Sequence, residues 1–135
     1  MDIFEQLKRD EGYRQFPYVD TVGKTSIGVG FNLTDVGLYT EEIEFILKNR
    51  VLKVQTELSQ YVWYTDQDEV RRGVLENMGY NMGVATLLHF PSMIHFFSIK
   101  DYVNAAAAME ASVWFGQVGP RAVRLKEQTT SGAWQ

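Results

Sequence analysis

Three side chains near the N-terminus could together carry acid–base chemistry: Glu11, Asp20 and Ser26. A carboxylate at the end of a helix faces the negative pole of the macrodipole, an effect of about 0.3–1 kcal/mol that raises its pKa by less than about one unit. Burial would raise it further, and a general acid must stay protonated near its working pH. Lys or Arg ordinarily occupies a last turn, so an acid there breaks a local rule of the kind that functional sites break. Taken alone, Glu11 still reads most simply as a solvated charge. Asp20 alone reads as a turn starter, because Asp side chains accept hydrogen bonds from nearby backbone amides. Asp10, one position from Glu11 on a helix, points elsewhere and reads as a solvated charge.

Local patterning marks out the elements that must position these residues. Asp2 and Glu5 form a D-x-x-E capping box before the apolar stripe Ile3, Phe4 and Leu7, and Gly12 supplies a stop. A first helix is thus predicted over about residues 3–11, with Glu11 in its last turn. From Tyr13 to Phe31, aromatic and β-branched residues alternate with polar ones and glycines, which predicts a small antiparallel sheet turning near Thr21–Lys24. A lone hairpin is marginal in water, so this sheet must lean on helices.

Thr40 is placed to cap a long helix, with Glu41 and Glu42 in its first turn and Ile43, Ile46, Leu47, Val51, Val54 and Leu58 at helical spacing. Such a helix over about 40–60 would span roughly 30 Å. Asp66 and Glu69 offer a second capping box before Val70, Val74, Leu75 and Met78. Further helices are expected around 84–97 and 101–112, and Gly119-Pro120 starts a last one. The expected architecture is α+β, one domain over 1–135. A helix plus β-lobe fills about 1–34, a connecting helix about 40–60, and a larger all-helical lobe about 65–135.

Composition bounds the function. A chain of 135 residues, 45% hydrophobic, suits one domain with a sizeable core. It contains no cysteine, which excludes disulfides and thiolate chemistry. The N-terminus lacks the apolar stretch of a signal peptide, and no apolar run reaches the roughly 20 residues needed to span a bilayer. A net charge of -4 argues against a nucleic-acid binder. Arg121, Arg124 and Lys126 form a local basic cluster that reads mostly as a solvated helix face.

The segments Asp10-Glu11-Gly12, Tyr18-Val19-Asp20-Thr21-Val22-Gly23 and Ser26-Ile27-Gly28-Val29-Gly30 closely resemble the N-terminus of the phage-type lysozymes, glycoside hydrolase family 24. That family spaces a Glu, an Asp or Cys, and a Thr as Glu-x8-Asp-x5-Thr, and Glu11, Asp20 and Ser26 occupy those positions without a gap. The resemblance resumes at Val70-Arg71-Arg72 and Asn77-Met78-Gly79-Tyr80-Asn81-Met82-Gly83. It continues through Phe90, Trp114, Gln117, Gly119, Arg121 and Ala122, and closes at Gly132 and Trp134.

The resemblance implies a lysozyme-like fold and hydrolysis of the β-1,4 bond between N-acetylmuramic acid and N-acetylglucosamine in bacterial peptidoglycan. Glu11 would be the general acid, while Asp20 with the Ser26 hydroxyl would position or activate a water on the opposite sugar face. Inversion follows, for which the carboxyl groups should lie roughly 6.5–9.5 Å apart. Gly30, Tyr80 and Asn81 match glycan-contacting positions, although Tyr80 reads nearly as well as a core tyrosine. Arg121 matches an arginine that pairs with the catalytic glutamate; since its charge would lower the acid's pKa, its role is to orient the side chain. The resemblance also implies a monomer made in a host cytoplasm, acting on the wall after release, with a holin supplying export and no direct binding. It implies no cofactor, nucleic acid or membrane insertion.

Ser26 departs from the usual Thr, keeping the hydroxyl but losing the methyl that restrains its rotamer, so retained but reduced activity is expected. The acidic surface also departs from the basic character that draws phage lysozymes to anionic walls. Two other readings stand beside hydrolysis: a lytic transglycosylase, which needs one glutamate and no positioned water, and a catalytically weak glycan-binding relative. His89 and His95 lack metal-site spacing, so no metal is expected. Gly28-Val29-Gly30 lacks the remainder of a nucleotide loop and reads as a strand whose glycines admit a ligand closely. Trp63, Trp114 and Trp134 read as packing residues.

Overall fold

Asp2 opens the first helix, α1 (Ile3–Glu11), through a reciprocal box in which its carboxylate accepts from the Glu5 amide at 2.9 Å and Glu5 accepts from the Asp2 amide at 3.1 Å. Gly12, at φ 87°, ends the helix, as the sequence requires. The computed structural model describes all 135 residues as nine helices and one three-stranded sheet, which bears out the α+β fold. The chain divides into two compact units, Met1–Ile46 and Leu47–Gln135.

In the first unit the sheet has the order β1 (Arg14–Val19), β2 (Thr25–Gly28), β3 (Phe31–Asn32), antiparallel throughout. Tyr18 pairs with Ser26 and Ser26 with Asn32, whereas Arg14 pairs with Gly28, so β1 carries an irregularity between Arg14 and Tyr18. Pro17, which has no N–H to give a ladder, sits inside it. Residues 20–24 join β1 to β2; Asp20 and Lys24 close the base of the connection, leaving Thr21, Val22 and Gly23 as a three-residue hairpin turn with Gly23 at φ 82°.

The long helix α2 (Thr40–Leu58) begins one residue away from the expected cap. Tyr39, not Thr40, is the capping residue: its carbonyl accepts the first helical bonds, and its amide donates to the Glu42 carboxylate at 2.7 Å. Glu42 thus supplies the back half of a box whose front half has no side chain to make it.

The second unit is all helix. A short α3 (Val62–Thr65), not anticipated from periodicity, precedes α4 (Glu69–Met82). The α4 cap is Asp68 rather than Asp66: its carboxylate accepts from the Arg71 amide at 2.9 Å, while Asp66 closes α3. The expected helix over 84–97 is broken into α5 (Val84–Leu87) and α6 (Pro91–Ser98), because Pro91 can start a helix but not continue one. The stretch from 101 resolves into α7 (Tyr102–Glu110) and α8 (Val113–Val118), the latter capped by the Ser112 hydroxyl. The last helix, α9 (Pro120–Ser131), starts at Gly119-Pro120 as expected.

Leu58, Leu75, Met78, Leu87, Met93, Phe97 and Met109 form the fully buried centre of this unit, each worth about 1.5–3 kcal/mol of removed apolar surface. Polar staples tie the helices around it. Buried Gln67 donates to the carbonyls of Trp63 at 2.9 Å and Phe97 at 2.8 Å and accepts the Tyr102 hydroxyl at 2.6 Å. Arg71 lies over the Tyr102 ring and donates to the Thr129 carbonyl at 2.8 Å, satisfying the exposed end of α9. Burial and the Glu76 carboxylate, which accepts the Tyr64 hydroxyl at 2.9 Å, push that hydroxyl up to about 12. No helix is long and apolar enough to cross a membrane.

Candidate active site

Four of the residues singled out from sequence fall in the first unit. Glu11 ends α1, and Gly30, at φ 65°, lies in the turn between β2 and β3. The two are in contact: a Cβ placed on Gly30 would fall 2.6 Å from Glu11 Oε2 and 3.0 Å from its carboxyl carbon. The glycines of Gly28-Val29-Gly30 therefore do not continue a strand. The strand stops at Gly28, whose missing side chain admits the Phe31 ring, while that of Gly30 admits the Glu11 carboxylate.

Asp20 follows β1 and starts the turn, as its residue type suggests. Its Oδ1 accepts two backbone amides, Val22 at 3.0 Å and Lys24 at 2.9 Å, and its own amide donates to the Lys24 carbonyl at 2.8 Å. One carboxylate oxygen is thus locked by the turn, and Oδ2 has no protein donor. Asp20 stands opposite Lys24 in the ladder, and Tyr18 opposite Ser26, so alternation puts Asp20, Tyr18, Lys24, Ser26 and Asn32 on one face. Asp20 and Ser26 are diagonal cross-strand neighbours, a relation that spans about 7–8 Å between backbones.

Ser26 is only 4% exposed, yet its hydroxyl makes no hydrogen bond to another protein group. No fully enclosed side-chain oxygen or nitrogen in the chain lacks a partner, so this hydroxyl is open to a water. A locked carboxylate with one unengaged oxygen, beside an unpartnered hydroxyl, can hold a water in fixed orientation.

Tyr80, Asn81 and Arg121 lie in the second unit. Tyr80 and Arg121 line one groove of about 290 Å³, with Asn77 and Trp134. Asn81 does not line that groove; its Oδ1 accepts the Trp114 indole N–H at 2.9 Å. The Arg121 guanidinium donates to Asn77 Oδ1 at 2.8 Å. Sequence reasoning had not singled out Asn77 or Trp114 as holders of these side chains. Their partners lie 44 and 33 residues away in the chain, and no local pattern signals such pairing. Of the basic cluster, Lys126 is ion-paired with Glu110.

Comparison with known proteins bears on the whole arrangement. The chain is 26% identical to the pre-baseplate central spike protein Gp5 of Enterobacteria phage T4, over 93% of its own length but only 27% of that protein's. It thus spans about a quarter of the spike protein. It is 25% identical to the probable T4-type lysozyme 1 of Dictyostelium discoideum, over 91% of its own length and 90% of the relative's. The family model for phage lysozyme matches residues 8–127, which include every site residue named above. The resemblance carried by Glu11, Asp20 and Ser26 therefore extends through the helical unit, and the chain belongs to the phage lysozyme family.

Proposed function

We propose that the chain hydrolyses peptidoglycan, cleaving the β-1,4 bond between N-acetylmuramic acid and N-acetylglucosamine with inversion. Glu11 gives its proton to the departing glycosidic oxygen, so that the sugar leaves as a neutral alcohol. Asp20 takes a proton from a water held between its free Oδ2 and the Ser26 hydroxyl, and that water forms the new bond to the anomeric carbon from the opposite face. The observation that carries this reading is the Asp20–Ser26 pair, with the carboxylate locked through Oδ1 and the hydroxyl left without a protein partner. A lytic transglycosylase has no use for such a water-holding pair.

Gly30 serves this reaction by letting the Glu11 carboxylate rest against backbone. Tyr80, Asn81 and Arg121 are assigned to saccharide contacts, Tyr80 through its half-exposed ring. The biological setting we assign is phage-type lysis of a bacterial host by a monomeric enzyme, with a holin opening the route to the wall and no direct contact between the two. Mass spectrometry of the ends released from purified peptidoglycan tests the proposal. Reducing muramic acid ends support it; 1,6-anhydro ends or an uncut wall refute it.

A further inference from the structure

Lys24 stands directly across the hairpin from Asp20, and its long flexible side chain projects on the same face as that carboxylate. It is held elsewhere. Lys24 Nζ donates to Asp35 Oδ1 at 3.2 Å. Asp35 is itself fixed from two sides by Asn32, whose side-chain amide donates to Asp35 Oδ2 at 3.2 Å and whose Oδ1 accepts the Asp35 amide at 3.0 Å. Asn32 pairs with Ser26 in the sheet, so this relay borders the proposed water site. Of the neighbouring charges, the Arg14 guanidinium lies over the Tyr18 ring at 4.3 Å, while the Glu11 carboxylate at the end of α1 packs against Gly30 with no ion pair or hydrogen bond.

We infer that Asp35 is a positioning residue, which anchors Lys24 away from Asp20 and so keeps the Oδ2 of Asp20 free to receive a proton from water. The inference rests on Asp20 being the base. An exposed ion pair is weak in general, but here the carboxylate is already ordered by Asn32, so the lysine alone must give up freedom to form it. Without that anchor the ammonium is free to turn to the unengaged Oδ2 of Asp20 on the same face, where it displaces water and stabilises the ionised form of that carboxylate.

The test is a steady-state pH profile of cleavage for Asp35→Asn, Lys24→Gln and the double variant. Asn at 35 keeps a side chain that Asn32 can bond. Asp35→Asn is expected to lower kcat by about threefold or more with KM little changed, and to move the acid limb of the profile down by about half a pH unit or more. Lys24→Gln is expected to match the wild type, and the double variant to regain both its rate and its acid limb. An unmoved acid limb in Asp35→Asn overturns the inference, as does a defect that persists in the double variant. Asp20→Asn, run in parallel, separates the two levels. Wild-type cleavage by Asp20→Asn removes the base assignment itself, whereas an inactive Asp20→Asn beside a wild-type Asp35→Asn overturns the anchoring role alone.

Discussion

Gly30 is the surface against which the Glu11 carboxylate rests, so closely that a Cβ at position 30 would lie 2.6 Å from Oε2. Gly30→Ala forces one of two adjustments. Either the Glu11 side chain leaves its place, or the turn at φ 65° opens, and the left-handed backbone alone costs about 1–2 kcal/mol for a residue with a Cβ. Cleavage is expected to fall by about tenfold or more, since misplacing a reacting group by an ångström is that costly. Wall-clearing rates together with a thermal melt check this; an alanine variant with wild-type turnover would remove the contact from the account.

Glu11 is exposed and makes no ion pair or hydrogen bond of its own, so Glu11→Gln should leave the melting temperature unchanged while abolishing cleavage. Circular dichroism melts and a turbidity assay measure the two separately.

Ser26 separates function from stability in the same way. Its hydroxyl has no protein partner to lose, so Ser26→Ala should melt close to the wild type while turnover drops on the order of tenfold or more through loss of the oriented water. A variant that keeps its activity would leave Asp20 to hold the water alone.

Much of this was legible in the sequence wherever the information is local. The Asp2–Glu5 box, the stop at Gly12, the turn after Asp20 and the start at Gly119-Pro120 each depend on residues within four positions of one another. Where the structure differs, the local signal is degenerate. Asp66 and Asp68 are both credible caps, and only the short α3, which takes Asp66 as its end, decides between them. Thr40 looks like a cap by type, yet Glu42 reaches back to Tyr39. The contacts that position the site were not readable, because Gly30 meets Glu11 across 19 residues and Asn81 meets Trp114 across 33. The glycine pattern suggested close approach by a ligand, whereas the chain's own side chains fill the space.

The α4 cap gives a pH dependence of stability. Desolvation, the largest single influence, raises the pKa of Asp68, but the hydrogen bonds from the Arg71 amide and guanidinium, together with its charge, bring it below the ordinary 3.8. A lowered folded value means that the stabilisation is present above about pH 4 and is lost as pH falls through the folded pKa. Asp68→Asn keeps a good cap but loses the charge, so its deficit in melting temperature against wild type should be seen at pH 7 and close on acidification. A deficit that stays constant down to the lowest pH would contradict the assignment.

Gln67 joins three elements from within the second unit. Replacing it with Leu leaves the Tyr102 hydroxyl and the carbonyls of Trp63 and Phe97 without their partner, at a cost of about 2–4 kcal/mol. Urea denaturation measures this directly, and a loss well under 1 kcal/mol would show that water replaces the amide.

The stereochemistry of the product tests the paired roles of Glu11 and Asp20 with Ser26 most directly. Proton NMR of a β-linked muropeptide oligosaccharide, followed from the first turnovers, distinguishes the new reducing end before it mutarotates. Attack by a water held opposite the leaving group predicts that the α-anomer appears first; a β-anomer appearing first would contradict it.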